Sequence, residues 1–336
     1  SRLKQEIDTL YDVNGKNPFV SSKKYFYDNP SHAQLTRTIE STSKENEIVN
    51  KRTYPLDYPT SVSVPINAMK TQNVVNEIIE NQVWKKVSAS DSSLISSSLT
   101  KYKQLSNGAI VPDKSYQIEN SALIAKESFA PYANNDTFDS KYKIITTFDL
   151  YDNTNANLIQ YTNFEGASIS YKWDYTLQYP IAECVNAQEK DIAFTSFEAD
   201  GKGGWTFTGI ATSSTTNTVT GKNYYSLAAG AITKTGLTST IKYIVSYWAK
   251  GASITITGGT LGSLFTGRTY NGYTYYERTI TGATGITISG SGQLDDIRIH
   301  PDNAQMTTYT FDPLVGITSK TDSKSQVNYF IYDELQ

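Results

Sequence analysis

The amino-acid sequence predicts a mostly β protein, and three observations support this fold class. The 336 residues include 25 Tyr against 12 Phe, with abundant Thr and Ser, a composition that favours half-solvated sheet surfaces over helical packing. Large and small residues alternate over short runs, as in Tyr309–Phe311 and Val327–Ile331. Polar sequences such as Asp312-Pro313 separate these runs and are typical of turns. We therefore expect antiparallel strands joined by short polar turns.

A short repeat occurs near the C-terminus, where an aromatic-x-aromatic-Asp ending is found at Tyr309–Asp312 and again at Phe330–Asp333. A hairpin of this size buries too little apolar surface to fold alone, so we expect many such hairpins to stack into a continuous sheet. The sequence stops at Gln336, directly after a repeat ending. We therefore expect this chain to be a fragment of a longer array.

Residues 1–190 are predicted to be successive strands of this array. Asn107-Gly108 is typical of a hairpin turn, because both residues readily take positive φ. The sequence INAMKTQN, between Pro65 and Asn73, is the best candidate for a short helix. Residues 76–87 fit both helical and strand spacing, and we predict a strand because strands flank them on both sides.

Residues 191–301 differ in composition, because Gly and Thr become frequent. Their pattern predicts about seven short strands, which is the size and spacing of a β-sandwich domain. Repeat-type sequence resumes within residues 302–336, so we interpret 191–301 as a module inserted into the array. The two ends of an inserted module must lie close together.

An aromatic residue followed by Asp occurs in three stretches: KYFYDNPSHAQLTR at 24–37, the segment 161–181 that ends in YKWDYTLQYPI, and AQMTTYTFDPLVGITSKTD at 304–322. These stretches resemble the Rhs, or YD-repeat, family, and in particular the large Rhs-type surface proteins of Bacteroidetes. Residues 61–140 depart from this pattern, because few YD endings occur there. The resemblance implies a spiralling sheet that forms a hollow shell around a C-terminal, often toxic, part that is not in this chain. It also implies a secreted or cell-surface parent whose signal lies outside this fragment.

The inserted module opens with TSFEADGKGGW at 195–205 and closes with LDDIRI at 294–299. These sequences resemble the galactose-binding-like jelly-roll sandwiches, a group that includes many carbohydrate-binding modules. The resemblance implies a structural calcium held by an acidic residue near the first strand and an Asp in the last, and Glu198 and Asp295 match those positions.

The alternation of residues in LDDIRI also predicts which face of the sheet Asp295 occupies. Strict alternation puts Asp295 on the face of Ile297 and Ile299, where a buried carboxylate needs a partner. That partner is either calcium or a set of backbone amides that donate hydrogen bonds to the carboxylate.

The module also offers rings that could stack on a sugar. The candidate glycan-binding residues are Trp205, Trp248, Tyr270, Tyr273 and Arg268. Aromatic faces pack against pyranose rings, and the Arg268 guanidinium would supply directed hydrogen bonds. Alternation separates the side chains of the strand YIVSYWAK into two sets, so most of the aromatic residues are expected to serve packing.

The sequence argues against an enzyme. Acid–base catalysis, nucleophile activation and zinc binding usually need grouped His or Cys, whereas this chain has only His32, His300 and Cys184, far apart in sequence. The two histidines are expected at the surface and the cysteine in the interior. Asp149 and Asp152 recur with the repeat, and such residues are expected to accept backbone amide hydrogens in the turn after their strand. No nucleotide-binding or hydrolase fingerprint is present.

Bulk properties exclude other classes. A formal net charge of −3 with scattered lysines argues against nucleic acid as a partner. A single cysteine excludes an intrachain disulfide, so burial and backbone pairing must hold the fold. The sequence contains no apolar run of the ~20 residues needed to span a bilayer, and residues 1–10 lack a signal-peptide core.

These observations predict a non-catalytic structural segment, a shell or display scaffold, whose partner is the rest of its own longer chain. The alternative is a glycan-binding adhesin, in which the module binds a cell-surface glycan and the repeats form a stalk. A third hypothesis, which follows from the Bacteroidetes resemblance, is cargo that engages the type 9 secretion machinery.

The calcium hypothesis has a direct test. If calcium lies between Glu198 and Asp295, EGTA should lower the melting temperature of the isolated module, because the bound ion stabilises only the folded state. An unchanged melting temperature in EGTA would contradict it.

Overall fold

The computed structural model describes residues 2–11, 14–15, 19–41, 46–88, 91–214 and 218–333. The described chain is mostly antiparallel β, which confirms the predicted fold class. It divides into two compact units, Ser1–Phe148 and Asp149–Gln336.

The first unit is an antiparallel sheet in which each strand pairs with the next one along the chain. Its strands are β1 (Gln5–Leu10), β2 (Phe19–Phe26), β3 (Arg37–Ser41), β4 (Glu47–Thr53), β5 (Glu80–Lys86), β6 (Ser92–Gln104), β7 (Ile110–Ala125) and β8 (Lys143–Tyr151), the last of which runs past the unit boundary. Short 3₁₀ turns lie at Pro55–Asp57 and Lys126–Ser128.

The predicted helix is confirmed as α1 (Val64–Thr71). Pro65 lies in its first turn, where the missing amide hydrogen costs nothing. Ile66 and Met69 are three residues apart and therefore share one face, which is buried against the sheet. The predicted strand at 76–87 is confirmed as β5, and the predicted turn places Gly108 at φ +88° between β6 and β7.

A buried carboxylate lies at the centre of this unit. Glu80 is 1% exposed and accepts hydrogen bonds from the Tyr142 hydroxyl (2.7 Å), the Tyr132 backbone amide (3.0 Å) and the Gln82 side chain (2.7 Å). The Tyr142 hydroxyl also lies 2.6 Å from Ser97 Oγ. Neutral donors thus satisfy the carboxylate, and the described residues place no cation in an ion pair with it.

The second unit contains two antiparallel sheets. The first, called here the repeat sheet, has the order β9-β10-β11-β21-β22-β23. Its strands are β9 (Leu158–Asn163), β10 (Ser168–Asp174), β11 (Tyr179–Val185), β21 (Gln305–Asp312), β22 (Gly316–Thr321) and β23 (Val327–Tyr329).

The second sheet is formed by strands between residues 193 and 301, within the segment 191–301 called here the inserted module. Its strands are β12 (Ala193–Thr195), β13 (Thr212–Ser213), β14 (Asn223–Ser226), β15 (Ile232–Thr235), β16 (Tyr243–Thr257), β17 (Thr260–Leu261), β18 (Phe265–Tyr270), β19 (Tyr273–Thr281) and β20 (Gly285–Pro301). Short 3₁₀ turns lie at Glu189–Asp191 and Leu227–Ala229. The long strand β20 pairs with β16 along one edge and with β15, β14 and β12 along the other. The two-sheet jelly-roll arrangement stays a prediction.

The inserted module lies between two strands that are neighbours in the repeat sheet. Strand β11 pairs with β21 from Val185 opposite Gln305 to Ala182 opposite Thr308. The module's own first and last strands pair side by side, with Ala193 opposite Ile299, so its two ends lie close together. An apolar cluster that includes Cys184 joins the base of the module to the repeat sheet.

The network around Glu80 predicts the effect of removing one hydroxyl. Tyr142→Phe leaves a buried carboxylate with one donor fewer, and should lower the free energy of unfolding by about 1–3 kcal/mol in urea titrations. Tyr27→Phe is the control, because the Tyr27 hydroxyl has no hydrogen bond among the described residues. Equal stability of the two variants would contradict this account.

Candidate functional site

Glu198 and Asp295, the residues predicted to bind calcium, hold one loop from two sides. Asp295 Oδ2 accepts the backbone amides of Val219 (2.8 Å) and Thr220 (3.0 Å). Glu198 Oε1 accepts the amide of Lys222 at 2.8 Å and also that of Asn223. Burial raises the pKa of both carboxyl groups, and that of Asp295, which is fully buried, rises well above its ordinary value.

The predicted orientation of Asp295 is wrong, because a β-bulge interrupts the alternation. Ser246 pairs with Arg298 and Trp248 pairs with Asp295, so one residue of β16 lies opposite two residues of β20. Asp296, at the bulge, has φ +48°. Asp295 therefore lies on the side of Trp248, whereas Ile297 and Ile299 belong to the core on the other face.

Backbone amides, the alternative to calcium, donate hydrogen bonds to both carboxylates. Calcium takes six to eight oxygen ligands, whereas amide hydrogens point at the oxygens of Glu198 and Asp295. The described residues also contain no group of three or more His, Cys, Asp or Glu side chains that could hold a metal ion. A calcium site at this pair stays a prediction.

The five candidate glycan-binding residues do not form one surface. Trp205 lies in the main core of the module, and its indole N–H has no hydrogen-bond partner among the described residues. Trp248 and Tyr273 are each 2% exposed and pack together in a second, smaller cluster. Arg268 and Tyr270 are exposed and, with Trp248, line a cavity of about 220 Å³. The Arg268 guanidinium lies 5.5 Å from the centre of the Trp248 ring and covers it.

The exposed members of this set bind the protein's own C-terminal hairpin, formed by β22 and β23. Arg268 donates to the Gln326 side chain (2.7 Å) and to the Ser325 carbonyl (2.8 Å). The ring of Tyr270 stacks on that of Tyr329 with their centres 6.0 Å apart. Sequence reasoning missed this contact, because no local pattern links β18 to β23.

Further contacts join the hairpin to the module. The Tyr329 hydroxyl donates to the Val219 carbonyl (2.7 Å), in the loop that Asp295 holds. The Tyr275 hydroxyl lies 2.9 Å from Ser325 Oγ, and Arg298 donates to the Asp322 carbonyl (3.2 Å). We call Arg268, Tyr270, Tyr275 and Arg298 the brace residues.

A second carboxylate pair fixes the entry to the module. Asp174, at the end of β10, accepts the Gly201 amide (2.7 Å), while Asp200 in return accepts the Thr176 amide (3.0 Å). A side chain at Gly201 would place its Cβ 2.6 Å from Asp174 Oδ2, so only glycine permits this approach. Burial, with the nearby Asp200 charge, raises the pKa of Asp174 to about 6.

The structural role predicted for the repeated Asp residues is confirmed at Asp152 and Asp174 but is wrong at Asp149, whose carboxylate accepts the Thr162 hydroxyl at 2.7 Å. Asp174 accepts the amide of Tyr175 (2.8 Å), and Asp152 accepts the amides of Thr154 (2.7 Å) and Asn155 (3.2 Å), in each case in the turn after the strand. These hydrogen bonds lower the pKa of the Asp152 carboxyl group.

The prediction that the two histidines lie at the surface is wrong, because both are buried. The prediction that the cysteine lies in the interior is confirmed. His32 is 9% exposed, and its Nε2 lies 3.2 Å from Asp57 Oδ1. His300 is 8% exposed, and its Nδ1 lies 2.8 Å from the Pro301 carbonyl oxygen. Cys184 is fully buried, and burial raises the pKa of its thiol to about 12.

No family model and no curated protein matches the chain. Among solved structures it is similar to one titled "Crystal Structure of TcdB2-TccC3-Cdc42", with 12% sequence identity and a TM-score of 0.16. The match covers 96% of this chain but only 15% of that chain. A TM-score this low carries no argument about fold or function. No described helix is long and apolar enough to cross a membrane.

The raised pKa of Asp174 predicts a pH effect with a definite sign. The folded state keeps this proton up to about pH 6, whereas an unfolded Asp releases it near pH 4, so its stabilising contribution is full at acid pH and is lost as the pH rises through about 6. Asp174→Asn stays neutral and keeps an acceptor oxygen. Its melting temperature should therefore fall less than that of the wild type between about pH 4 and about pH 7.

Asp152→Asn is the comparison variant. Because the pKa of Asp152 is lowered, its effect on stability should depend on pH in the opposite direction. The wild type should gain stability over this variant as the pH rises to about 4, where the unfolded carboxyl group also ionises, and should keep that advantage at higher pH. The same pH profile in both variants would contradict the assignment.

Proposed function

We propose that this chain is a non-catalytic structural segment of a secreted or cell-surface YD-repeat protein. The repeat sheet is the scaffold, and the inserted module braces it. The observation that carries this proposal is the set of contacts through which the brace residues bind the hairpin β22–β23.

These side chains contact the hairpin of the same chain, which favours a brace over a ligand-binding surface. Arg268 makes two hydrogen bonds to the hairpin, and the bond to Ser325 reaches a backbone carbonyl. The Tyr270 ring is stacked on Tyr329, and the Trp248 ring is covered by Arg268. The groups that would hold a sugar are thus engaged within the same chain, and a ligand would have to displace them.

The place of the insertion also supports a scaffold. A module inserted between two paired strands leaves the backbone hydrogen bonds between β11 and β21 in place. The repeat sheet can therefore carry the module without interrupting its own pairing.

Further parts of the proposal rest on the family resemblance. The sheet would continue in the rest of a longer chain and form a shell that encloses a C-terminal effector. Export through the type 9 secretion machinery is the corresponding proposal for the route to the cell surface.

A glycan-binding adhesin is the second candidate. It is favoured by the cavity of about 220 Å³ that Trp248, Arg268 and Tyr270 line together. Rings and a guanidinium beside one small cavity are the chemistry that sugar-binding sites use. A neutral oligosaccharide would enter beside Tyr270, and Tyr270→Ala should then abolish binding. Failure of a glycan array and of titrations at millimolar sugar to show binding would exclude this candidate.

The brace is tested by hydrogen exchange on the intact chain. Arg268→Ala removes both bonds to the hairpin, and amide exchange in β22 and β23 should accelerate about tenfold, because local opening of the hairpin costs less. Arg268→Lys keeps the charge but not the two-pronged contact, and should give an intermediate rate.

Lys250→Ala is the matched control, because Lys250 lies over Tyr273 in the same module and makes no bond to the hairpin. Its exchange rates in β22 and β23 should equal those of the wild type. Unchanged exchange in Arg268→Ala would refute the brace.

A further inference from the structure

One face of the first unit's sheet contains a basic pocket. The pocket has a volume of about 250 Å³ and lies over strands β3, β4 and β5. Four cationic side chains and one indole line it: Arg37, Lys51, Lys86, Lys126 and Trp84. No acidic side chain is among its lining residues.

Strand register brings these residues together from distant parts of the sequence. Arg37 lies opposite Lys51 in the pairing of β3 with β4, and Val49 lies opposite Trp84 in the pairing of β4 with β5. Alternate residues of one strand share a face, so Lys86 lies on the same side as Trp84. Lys126 joins from the 3₁₀ turn after β7.

Two of the four cations take part in ion pairs, and Asp28, the partner of Arg37, also interacts electrostatically with Lys51. Arg37 is paired with Asp28 at 3.1 Å, and Lys86 with Glu47 at 2.7 Å. Lys51 and Lys126 are exposed and have no ion-pair partner within the described ranges. Cations gathered around a concavity attract and orient an anion more strongly than the same charges dispersed.

The apolar part of the pocket lining includes Trp84, Ile39 and Val49. The Trp84 indole N–H donates to the Gln82 side chain at 2.9 Å, and the ring meets Phe129 edge to face with centres 5.7 Å apart. These two contacts orient the indole. The pocket therefore combines apolar and cationic side chains in one lining.

The volume limits the size of the ligand. Pockets for drug-sized molecules measure about 300–1,000 Å³, so a 250 Å³ pocket accepts one ring or one terminal unit. A pyranose has an apolar C–H face that packs on an indole, and an acidic sugar carries a carboxylate or sulfate at its edge. A nucleic-acid backbone is instead followed by cations along an extended groove.

From these observations we propose that the basic pocket binds an acidic sugar unit of an anionic polysaccharide, through its carboxylate or sulfate. The sugar ring packs on Trp84, and Lys51 and Lys126 pair with the acidic group. This site lies in the first unit and is independent of both the brace and the cavity beside Tyr270.

The experiment uses the intact chain in calorimetric titrations with four probes: an oligogalacturonate, a sulfated heparin oligosaccharide, a neutral dextran oligomer and oligo-dT. Binding of either acidic sugar that weakens with added salt is expected, and the better of the two identifies carboxylate or sulfate as the recognised group. The variant K51E/K126E should weaken that binding by about tenfold or more, because two attractive positive charges are replaced by negative charges that repel the anion.

Lys85→Glu is the matched control. Lys85 lies between Trp84 and Lys86 in β5 and therefore on the opposite face of the sheet. This variant should bind the acidic sugar within about twofold of the wild type, since its added charge is outside the pocket. Circular dichroism and the melting temperature of each variant establish that it is folded.

Four outcomes would overturn the proposal. They are no binding of either acidic sugar at millimolar concentration, equal binding of the neutral dextran, tighter binding of oligo-dT, and an equal loss of affinity in K51E/K126E and K85E. The first two exclude an acidic sugar as the ligand, the third indicates a nucleic acid instead, and the fourth excludes the pocket as the site.

Discussion

Backbone pairing between β11 and β21 is the constraint on which the second unit depends. These strands are separated by more than a hundred residues of sequence, yet they pair as neighbours from Val185 opposite Gln305 to Ala182 opposite Thr308. Long-range pairing of this kind has a high entropic cost of loop closure. The inserted module offsets that cost by folding with its own ends side by side, since Ala193 pairs with Ile299. The apolar cluster around Cys184 then joins the two sheets at their base.

Carboxylates that accept backbone amides are the second recurring device. At the entry to the module Asp174 accepts the Gly201 amide and Asp200 accepts the Thr176 amide, while Glu198 and Asp295 hold the loop beside the hairpin. Each of these bonds satisfies amides that loops would otherwise leave unpaired. With one cysteine, the chain has no intrachain disulfide, so hydrogen bonds and burial fix its loops.

The module and the basic pocket divide the chain's two proposed roles. Arg268 and Tyr270 could bind a sugar, but in this structure their side chains contact the β22–β23 hairpin of the same chain. The first unit places its cationic pocket over β3, β4 and β5, where the hydrogen-bonded Trp84 indole lies beside several lysines. The two proposed roles therefore depend on residues of different units, so the variants that test one role leave the residues of the other unchanged.

Local sequence determined the elements of this protein. Alternation and turn chemistry predicted the strands, the helix that begins beside Pro65, the turn at Gly108 and the amide-accepting role of Asp152 and Asp174. These features depend on residues a few positions apart, so a single sequence contains the necessary information.

Tertiary structure alone decided which distant residues meet. The bulge at Asp296 reversed the predicted face of Asp295, because strict alternation holds only while the register is unbroken. Arg268 met the hairpin, and lysines that are scattered in the sequence gathered around Trp84. The physical reason is that register between strands is set by cooperative packing of the whole sheet, which no local pattern contains.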